Sequence, residues 1–367
     1  MKKVMFHLNT LERGGMERVV VNLAGQFADN GYETIVATEW KGEVEYPLSD
    51  KVKRMHVGLN SEDENKGRFA KIRIRNRNLR KAIKAEKPDV IFAFEKKAIY
   101  RALIAAKGTG SAVVLAVRMN PKDNYASLPD RALTNYLYRR ARGAVFQTEV
   151  MRDFFPKWVG EKSTLIVNPL NRELLNCEKA TERSKRIVSV ARFIELKNQL
   201  LLVKAFEIIK DKYPDYTVEF YGEESDGDGY YQRVKDYVEN HNLNDRVIFK
   251  GLEQNVYGLI RDAAVFALTS DTEGLPNSLM EAMALGIPSI STDFESGGAR
   301  TLIKNMENGI LVPVGDEKAL AEAIEYILDN PAKAEMFADN AMKITKIADP
   351  EAVFKAWESY GLKITGE

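Results

Sequence analysis

Ser270-Asp271-Thr272-Glu273-Gly274-Leu275-Pro276-Asn277-Ser278-Leu279-Met280-Glu281 is the stretch on which the reading of this chain turns. Glu273 stands in a turn rich in Gly and Pro, and Glu281 follows eight positions later, along the apolar helix predicted over 278–285. Gly274 permits a close backbone approach, and Pro276 pre-sets a turn at the helix start. The first N–H groups of that helix have no internal partner, so they favour an anion. One carboxylate beside such a helix start, and a second facing the same way, suit a ligand with hydroxyls at one end and phosphate in its middle. A nucleotide sugar has that form. The competing reading of Glu281 is a solvent-facing helix residue, since Leu279, Met280, Ala282, Met283 and Leu285 give the helix an apolar face.

Around this stretch, short β-branched runs alternate with amphipathic ones. The pattern predicts α/β structure with doubly wound, Rossmann-like parallel sheets. Expected strands in the first half are 4–8, 34–38, 90–94, 113–117, 144–147 and 165–167. In the second half they are 187–191, 217–221, 247–249, 265–268, 289–291 and 310–312. Val19, Val20, Leu23 and Phe27 recur at helical spacing and predict a helix over 16–29. With 367 residues and 45% hydrophobic content, the chain can build two cores. The expected domains are 1–170 and 171–349, joined by a polar linker over 171–185, followed by an amphipathic helix at 350–367 carrying Phe354, Trp357 and Tyr360. Ligands of such sheets bind outside the C-terminal strand ends. Gly14-Gly15, Arg192 and Glu273 each follow a strand, and are expected to face one cleft between the domains.

Net charge is +1, but residues 1–170 hold 31 Lys+Arg against 19 Asp+Glu, so the first half is strongly basic and the second acidic. Residues 66–87 contribute much of this, with ten Lys or Arg and a single acid, Glu86. Arg73, Arg77, Arg80, Lys81 and Lys84 recur at helical spacing as one cationic face, and Phe69, Ile72, Leu79 and Ile83 can form the buried one. An ordinary solvated helix is one reading. Docking on an anionic membrane, or holding an acceptor's diphosphate, are the functional ones. Nucleic-acid binding ranks low, because no aromatic stacking pattern accompanies the charge. Cys177 is the only cysteine, which excludes an intrachain disulfide and fits a reducing cytoplasm. No apolar run is long enough for a signal peptide or a membrane span, so the expectation is a cytoplasmic protein, soluble or peripheral on the inner face of the cell membrane.

Arg192 and Lys197 offer a planar fork and a mobile point charge, both suited to phosphate oxygens, although two surface charges in a solvated loop would read the same. Gly14 and Gly15 can bring backbone N–H groups to a phosphate at a helix start, or can form a plain turn. Glu17 suits either a helix cap or a substrate contact. His7, His56 and His241 show no metal-ligand spacing, and Asp226-Gly227-Asp228 reads better as a solvated acidic loop than as a metal site. No metal or other cofactor is expected.

Three segments together resemble the retaining glycosyltransferases of family 4, which have the two-lobed GT-B fold. Glu273-Gly274-x-Pro276-x4-Glu281 looks like the family's E-x7-E element. Gly14-Gly15-Met16-Glu17-Arg18 resembles its N-terminal Gly-Gly-x-Glu-Arg loop, and Arg192-x4-Lys197-Asn198 its Arg-x4-Lys-Asn element. The resemblance implies that Arg192 and Lys197 neutralise a leaving diphosphate without metal. It implies that Glu281 takes the ribose hydroxyls and Glu273 the donor-sugar hydroxyls, with Gly14, Gly15, Asn198, Gly274, Leu275, Pro276, Asn277 and Ser278 completing the donor site. It implies front-face displacement with retention and a UDP-sugar donor by family frequency (GDP or ADP staying open); the cationic run over 66–87 motivates a glycan acceptor on a polyprenyl diphosphate. Many relatives carry a histidine where this chain has Arg118-Met119-Asn120, so Arg118 is the expected substitute at the donor sugar. The loop after Tyr221-Gly222 lacks the family's usual second glycine and proline. A sugar-nucleotide epimerase of the same architecture, or a non-catalytic subunit that binds nucleotide sugar, are the alternative readings.

Overall fold

A computed structural model of the chain describes residues 1–125, 127–224 and 229–367. The chain divides into two compact units, Met1–Pro169 with Glu351–Glu367, and Leu170–Pro350. The first contains β1 (Lys3–Leu8), α1 (Gly15–Asp29), β2 (Glu33–Thr38), β3 (Lys53–His56), α2 (Arg68–Glu86), β4 (Val90–Phe94), α3 (Lys96–Ala105), β5 (Ala112–Ala116), α4 (Pro121–Asn124), α5 (Leu128–Tyr138), β6 (Gly143–Phe146), α6 (Glu149–Asp153), α7 (Lys157–Gly160) and β7 (Ser163–Leu165). The second contains β8 (Ser184–Val190), α8 (Gln199–Ile209), β9 (Thr217–Tyr221), α9 (Tyr230–Asn240), β10 (Val247–Gly251), α10 (Val256–Ile260), β11 (Ala263–Leu268), α11 (Asn277–Ala284), β12 (Ser289–Thr292), α12 (Gly298–Leu302), β13 (Ile310–Val312), α13 (Glu317–Asp329), α14 (Pro331–Ala341) and α15 (Ile344–Ile347). The last helix, α16 (Pro350–Thr365), belongs almost wholly to the first unit.

Both sheets are parallel. Their orders are β3-β2-β1-β4-β5-β6-β7 and β10-β9-β8-β11-β12-β13. Each sheet is doubly wound, so strand order reverses once, between β1 and β4 in the first and between β8 and β11 in the second. At such a reversal the loops leave to opposite sides and open a crevice at the strand ends.

The central strands β1, β4 and β5 are almost wholly apolar because helices cover both faces. On one face Val19, Val20, Leu23 and Phe27 of α1 pack with Phe6, Phe92 and Phe94, and Val353, Phe354, Trp357 and Tyr360 of α16 complete the layer. On the other, α2, α3 and α5 cover Met5, Ile91 and Val113. The sequence did not predict β3, whose Lys53-Arg54-Met55-His56 lacks an apolar pattern. It is an edge strand, and charge there is what keeps an edge from pairing further. The strand expected at 165–167 forms instead at Ser163–Leu165, on the opposite edge.

Candidate functional site

The crevice of the second sheet collects the Arg192 and Glu273 segments. Arg192 to Asn198 leaves β8, and Ser270 to Asn277 leaves β11, the two strands on either side of the reversal. Hydrogen bonds stitch the two loops together. Asp271 N–H donates to Leu196 O at 2.9 Å, Thr269 Oγ1 to Lys197 O at 3.0 Å, and Asn198 Nδ2 to Asp271 Oδ1 at 2.8 Å. Asn198 sits at φ 46°, a left-handed position that turns the chain sharply into α8. The Lys197 ammonium forms an ion pair with Glu273, whose Oε1 also accepts from Ser270 Oγ at 2.9 Å. The Arg192 side chain is exposed, and no described residue engages its guanidinium.

Glycines set how closely these loops approach. A Cβ on Gly298 would lie 1.9 Å from Gly274 O, and one on Gly222 would lie 1.9 Å from Ala191 O. The loop after β12 therefore supports the Gly274 turn directly, helped by Ser296 Oγ donating to Gly274 O at 3.3 Å. α11 starts just after Pro276, with Asn277 and Ser278 in its first turn and Leu275 and Pro276 buried behind them. Glu281 is 7% exposed, so it is no solvent-facing residue. It belongs to the inner side of α11.

In the first unit, Gly14 caps α1 and the Glu17 carboxylate folds over it. A Cβ on Gly14 would stand 2.3 Å from Glu17 Oε2. Glu17 thus already occupies the electropositive start of α1. The glycine loop is braced from residues 42–46. Arg13 N–H donates to Val44 O and Tyr46 N–H to Leu11 O, at 3.0 and 3.1 Å. Glu45 accepts from Gly42 N–H at 2.9 Å and from both Arg54 terminal nitrogens, and that guanidinium holds its carboxyl down at about 2.

Arg118, expected at the donor sugar, has a buried side chain, 8% exposed. Its guanidinium is buried at the end of β5, 4.9 Å above the Trp357 ring and 5.8 Å from Phe94, with Nη1 3.3 Å from Ile166 O and Asn168 Oδ1. Burial without a carboxylate partner pulls it down to about 9. It braces the inside of the first unit. The cationic face of α2 is also revised. Arg80 donates to Ala105 O and Lys107 O, both at 2.7 Å, capping the end of α3. Arg73, Arg77, Lys81 and Lys84 are exposed, and so are Phe69 at 87% and Ile72 at 43%, which were expected inside. Ile74, Leu79, Ala82 and Ile83 make the buried face instead. Asp226 and Asp228 lie outside the described residues. Among those described, no three His, Cys, Asp or Glu gather as a metal site, and no helix is long and apolar enough to cross a membrane.

Comparison with known families gives this geometry its context. The profile for "Glycosyltransferase Family 4" matches residues 13–174, and that for "Glycosyl transferases group 1" continues over 172–344. The chain belongs to the family 4 glycosyltransferases. A relative in Campylobacter jejuni, a GalNAc-alpha-(1->4)-GalNAc-alpha-(1->3)-diNAcBac-PP-undecaprenol alpha-1,4-N-acetyl-D-galactosaminyltransferase, is 26% identical over 97% of each chain. A second Campylobacter jejuni enzyme, an N-acetylgalactosamine-N,N'-diacetylbacillosaminyl-diphospho-undecaprenol 4-alpha-N-acetylgalactosaminyltransferase, is 27% identical over 71% of this chain and 73% of its own. Anabaena HepE, solved in complex with UDP, superposes with a TM-score of 0.81 at 18% identity, covering 98% of this chain and 99% of HepE. The sucrose-phosphate synthase of Thermosynechococcus elongatus reaches 0.83 at 17% identity over the whole of both chains. These two establish GT-B as the fold of this transferase.

Sequence reasoning missed Ser270 and Asp271, which hold Glu273 and Asn198. Both lie in the quoted stretch, but only the β8–β11 neighbourhood gives Asp271 its partners, Asn198 and Leu196.

Proposed function

We propose that this glycosyltransferase moves a hexose or N-acetylhexosamine, with retention, from a UDP-sugar to a hydroxyl of a polyprenyl-diphosphate-linked glycan, in surface polysaccharide or glycoconjugate synthesis. One observation carries the donor half of the reading: Arg192, Lys197 and Glu273 come from the two loops at the reversal of the second sheet, and Glu281 from α11, which continues the second loop. Arg192 and Lys197 take the diphosphate oxygens, and the Glu273 carboxylate accepts hydroxyl protons of the sugar, as Glu281 does from the ribose. Donor entry then splits the Lys197–Glu273 pair and gives each side chain a ligand group in exchange. In the transfer step the C1–O bond to the diphosphate breaks while the acceptor oxygen bonds C1 from the same face. The acceptor proton passes to the departing phosphate oxygen. Two fixed cations beside that oxygen stabilise its growing charge. Preorganised stabilisation of this kind usually dominates enzymatic catalysis, and here it removes the need for a metal.

The acceptor half rests on the two Campylobacter relatives, whose names specify undecaprenyl-diphosphate acceptors, and on α2. Exposed Phe69 and Ile72 beside Arg68, Arg73, Arg77 and Lys81 fit a helix lying on an anionic bilayer, apolar side chains among the lipids and cations at the headgroups. On this reading the enzyme works at the inner face of the cell membrane. A panel of UDP-, GDP- and ADP-sugars tests the donor half by thermal shift and by slow release of nucleoside diphosphate in EDTA. Binding with release supports a transferase. Binding with no release supports a non-catalytic subunit, interconversion of the sugar supports an epimerase, and either outcome overturns the proposal.

A further inference from the structure

On the face of the first sheet that α2, α3 and α5 cover, a cavity of about 480 Å³ lies between α5 and the segment that follows α6. Lys122 of α4 and Arg131 and Asn135 of α5 contribute its polar lining, and Tyr125, Phe154 and Phe155 its apolar lining. Its size falls within the range of small-molecule pockets, roughly 300–1,000 Å³. None of these residues has a part in the donor reading.

Among the described residues two cations and no Asp or Glu line the cavity. The Arg131 guanidinium is fixed in advance: Nε donates to Tyr125 O at 3.3 Å, the group lies 5.5 Å from the Phe154 ring, and no described carboxylate pairs with it. The acids nearest in the chain are engaged elsewhere. Asp123 accepts from Asn120 Nδ2 at 3.3 Å, Asp130 pairs with Lys96 at 2.8 Å, and Asp153 accepts from Arg152 Nε at 2.8 Å. The cavity therefore favours an anion. A free phosphate would fill little of it and leave the rings uncovered, so the rest of the ligand is apolar. The rim continues this chemistry. Leu128, Ala132 and Tyr136 form the i, i+4 ridge beside Arg131 and Asn135, and all three are exposed, Leu128 at 79% and Tyr136 at 61%. Arg140 stacks 4.9 Å from the Tyr136 ring and donates to its Oη at 2.9 Å. An apolar ridge flanked by cations suits hydrocarbon below and phosphates above.

We infer that this cavity binds one anionic phospholipid as a separate lipid site of the first unit. Arg131 and Lys122 hold the headgroup phosphate, the Asn135 amide bonds the headgroup, and the first methylenes of an acyl chain lie on Phe154 and Phe155. The remainder of the chain runs out along Leu128 and Tyr136. Arg suits this role because its planar fork can give a phosphate two hydrogen bonds at once. The inference goes beyond the reading of α2 as a bilayer-facing helix and does not need it, because a single lipid in solution is enough to occupy the cavity.

The test is titration calorimetry on the full chain with dihexanoyl phosphatidylglycerol below its micelle concentration, against dihexanoyl phosphatidylcholine, inorganic phosphate and geranyl phosphate. Wild type is expected to bind the phosphatidylglycerol and to prefer it to the other three. Arg131→Gln weakens that binding about ten- to a hundredfold, the range for hydrogen bonds to a charged group. Asn135→Asp, at an exposed helix position that leaves the fold intact, weakens it at low salt, and added salt narrows the gap. The Arg73, Arg77 and Lys81 triple replacement on α2 leaves it unchanged. Four results overturn the inference: no binding of the phosphatidylglycerol, equal binding by the Arg131 and Asn135 variants, loss in the α2 variant, or inorganic phosphate or geranyl phosphate binding as well or better. UDP-sugar thermal shifts on the same samples keep the two ideas apart. Their absence with lipid binding intact sinks the donor reading and spares the lipid site.

Discussion

Glu45 shows how a side chain outside the glycine loop braces it. Its depressed carboxyl means the folded state holds it ionised while the unfolded chain protonates it near 4.5. Stability from the Arg54–Glu45 brace is therefore full above about pH 4.5 and drains away as the pH falls towards 2. Urea titrations of wild type and Glu45→Gln should show a gap that narrows over that window, with UDP-sugar affinity lowered in the variant at neutral pH. At the donor site, Lys197→Ala should cut turnover about a hundred- to a thousandfold, the effect of removing one fixed donor to a developing anion. Steady-state kinetics check this, and a loss confined to KM would assign Lys197 to ground-state binding alone. The meeting of the 192–198 and 270–277 loops was legible because each motif is local and follows a strand. The role of Asp271 was not: its partner Asn198 comes from the loop after β8, 73 positions away. The Arg118 guanidinium could not be placed either, because Trp357, the ring it packs on, arrives from the far end of the chain.

Among elements, α2 was readable as a helix and as a charged one, but its faces were not. Its apolar residues are too sparse to define a single stripe, so Phe69 and Ile72 fit either side by periodicity. Packing against α3 decides in favour of Leu79, Ala82 and Ile83. Each cation near an anionic surface contributes about 1 kcal/mol. Replacing Arg73, Arg77 and Lys81 together should weaken binding to phosphatidylglycerol vesicles about a hundredfold, and Phe69→Ser should weaken it further with less dependence on salt. Vesicle sedimentation with equal binding across these variants would remove the membrane role of α2. The α12 segment makes the matching point in the second unit. Gly298→Ala forces a methyl against Gly274 O, an overpacking that costs about 1–3 kcal/mol and moves the turn carrying Glu273. Its expected signature is loss of the UDP-sugar thermal shift larger than the drop in melting temperature explains.

On the scale of the whole chain, the two parallel sheets were legible from the alternation of apolar and amphipathic segments, and the strand that went unseen, β3, lies at an edge. Edge strands are short and polar because one side lacks a neighbour, so the signal that finds central strands is weakest there. The last helix closes the first unit. Trp357 is fully buried against Phe92, Phe94 and Arg118, and Tyr360 Oη accepts from Ala144 N–H at 2.9 Å. Trp357→Ala should cost about 3–5 kcal/mol. Calorimetry should show that loss in the transition of the first unit, with the second unit unchanged.

Transfer in EDTA tests the central claim most directly. Wild type and the Arg192→Ala, Lys197→Ala double variant are given the UDP-sugar that shifts the melting curve, with an undecaprenyl-diphosphate glycan in anionic vesicles. Metal-free extension of the lipid-linked glycan with retained anomeric configuration, abolished in the double variant, is the predicted result. Extension that survives loss of both cations, or that appears only when a divalent metal is added, would contradict it.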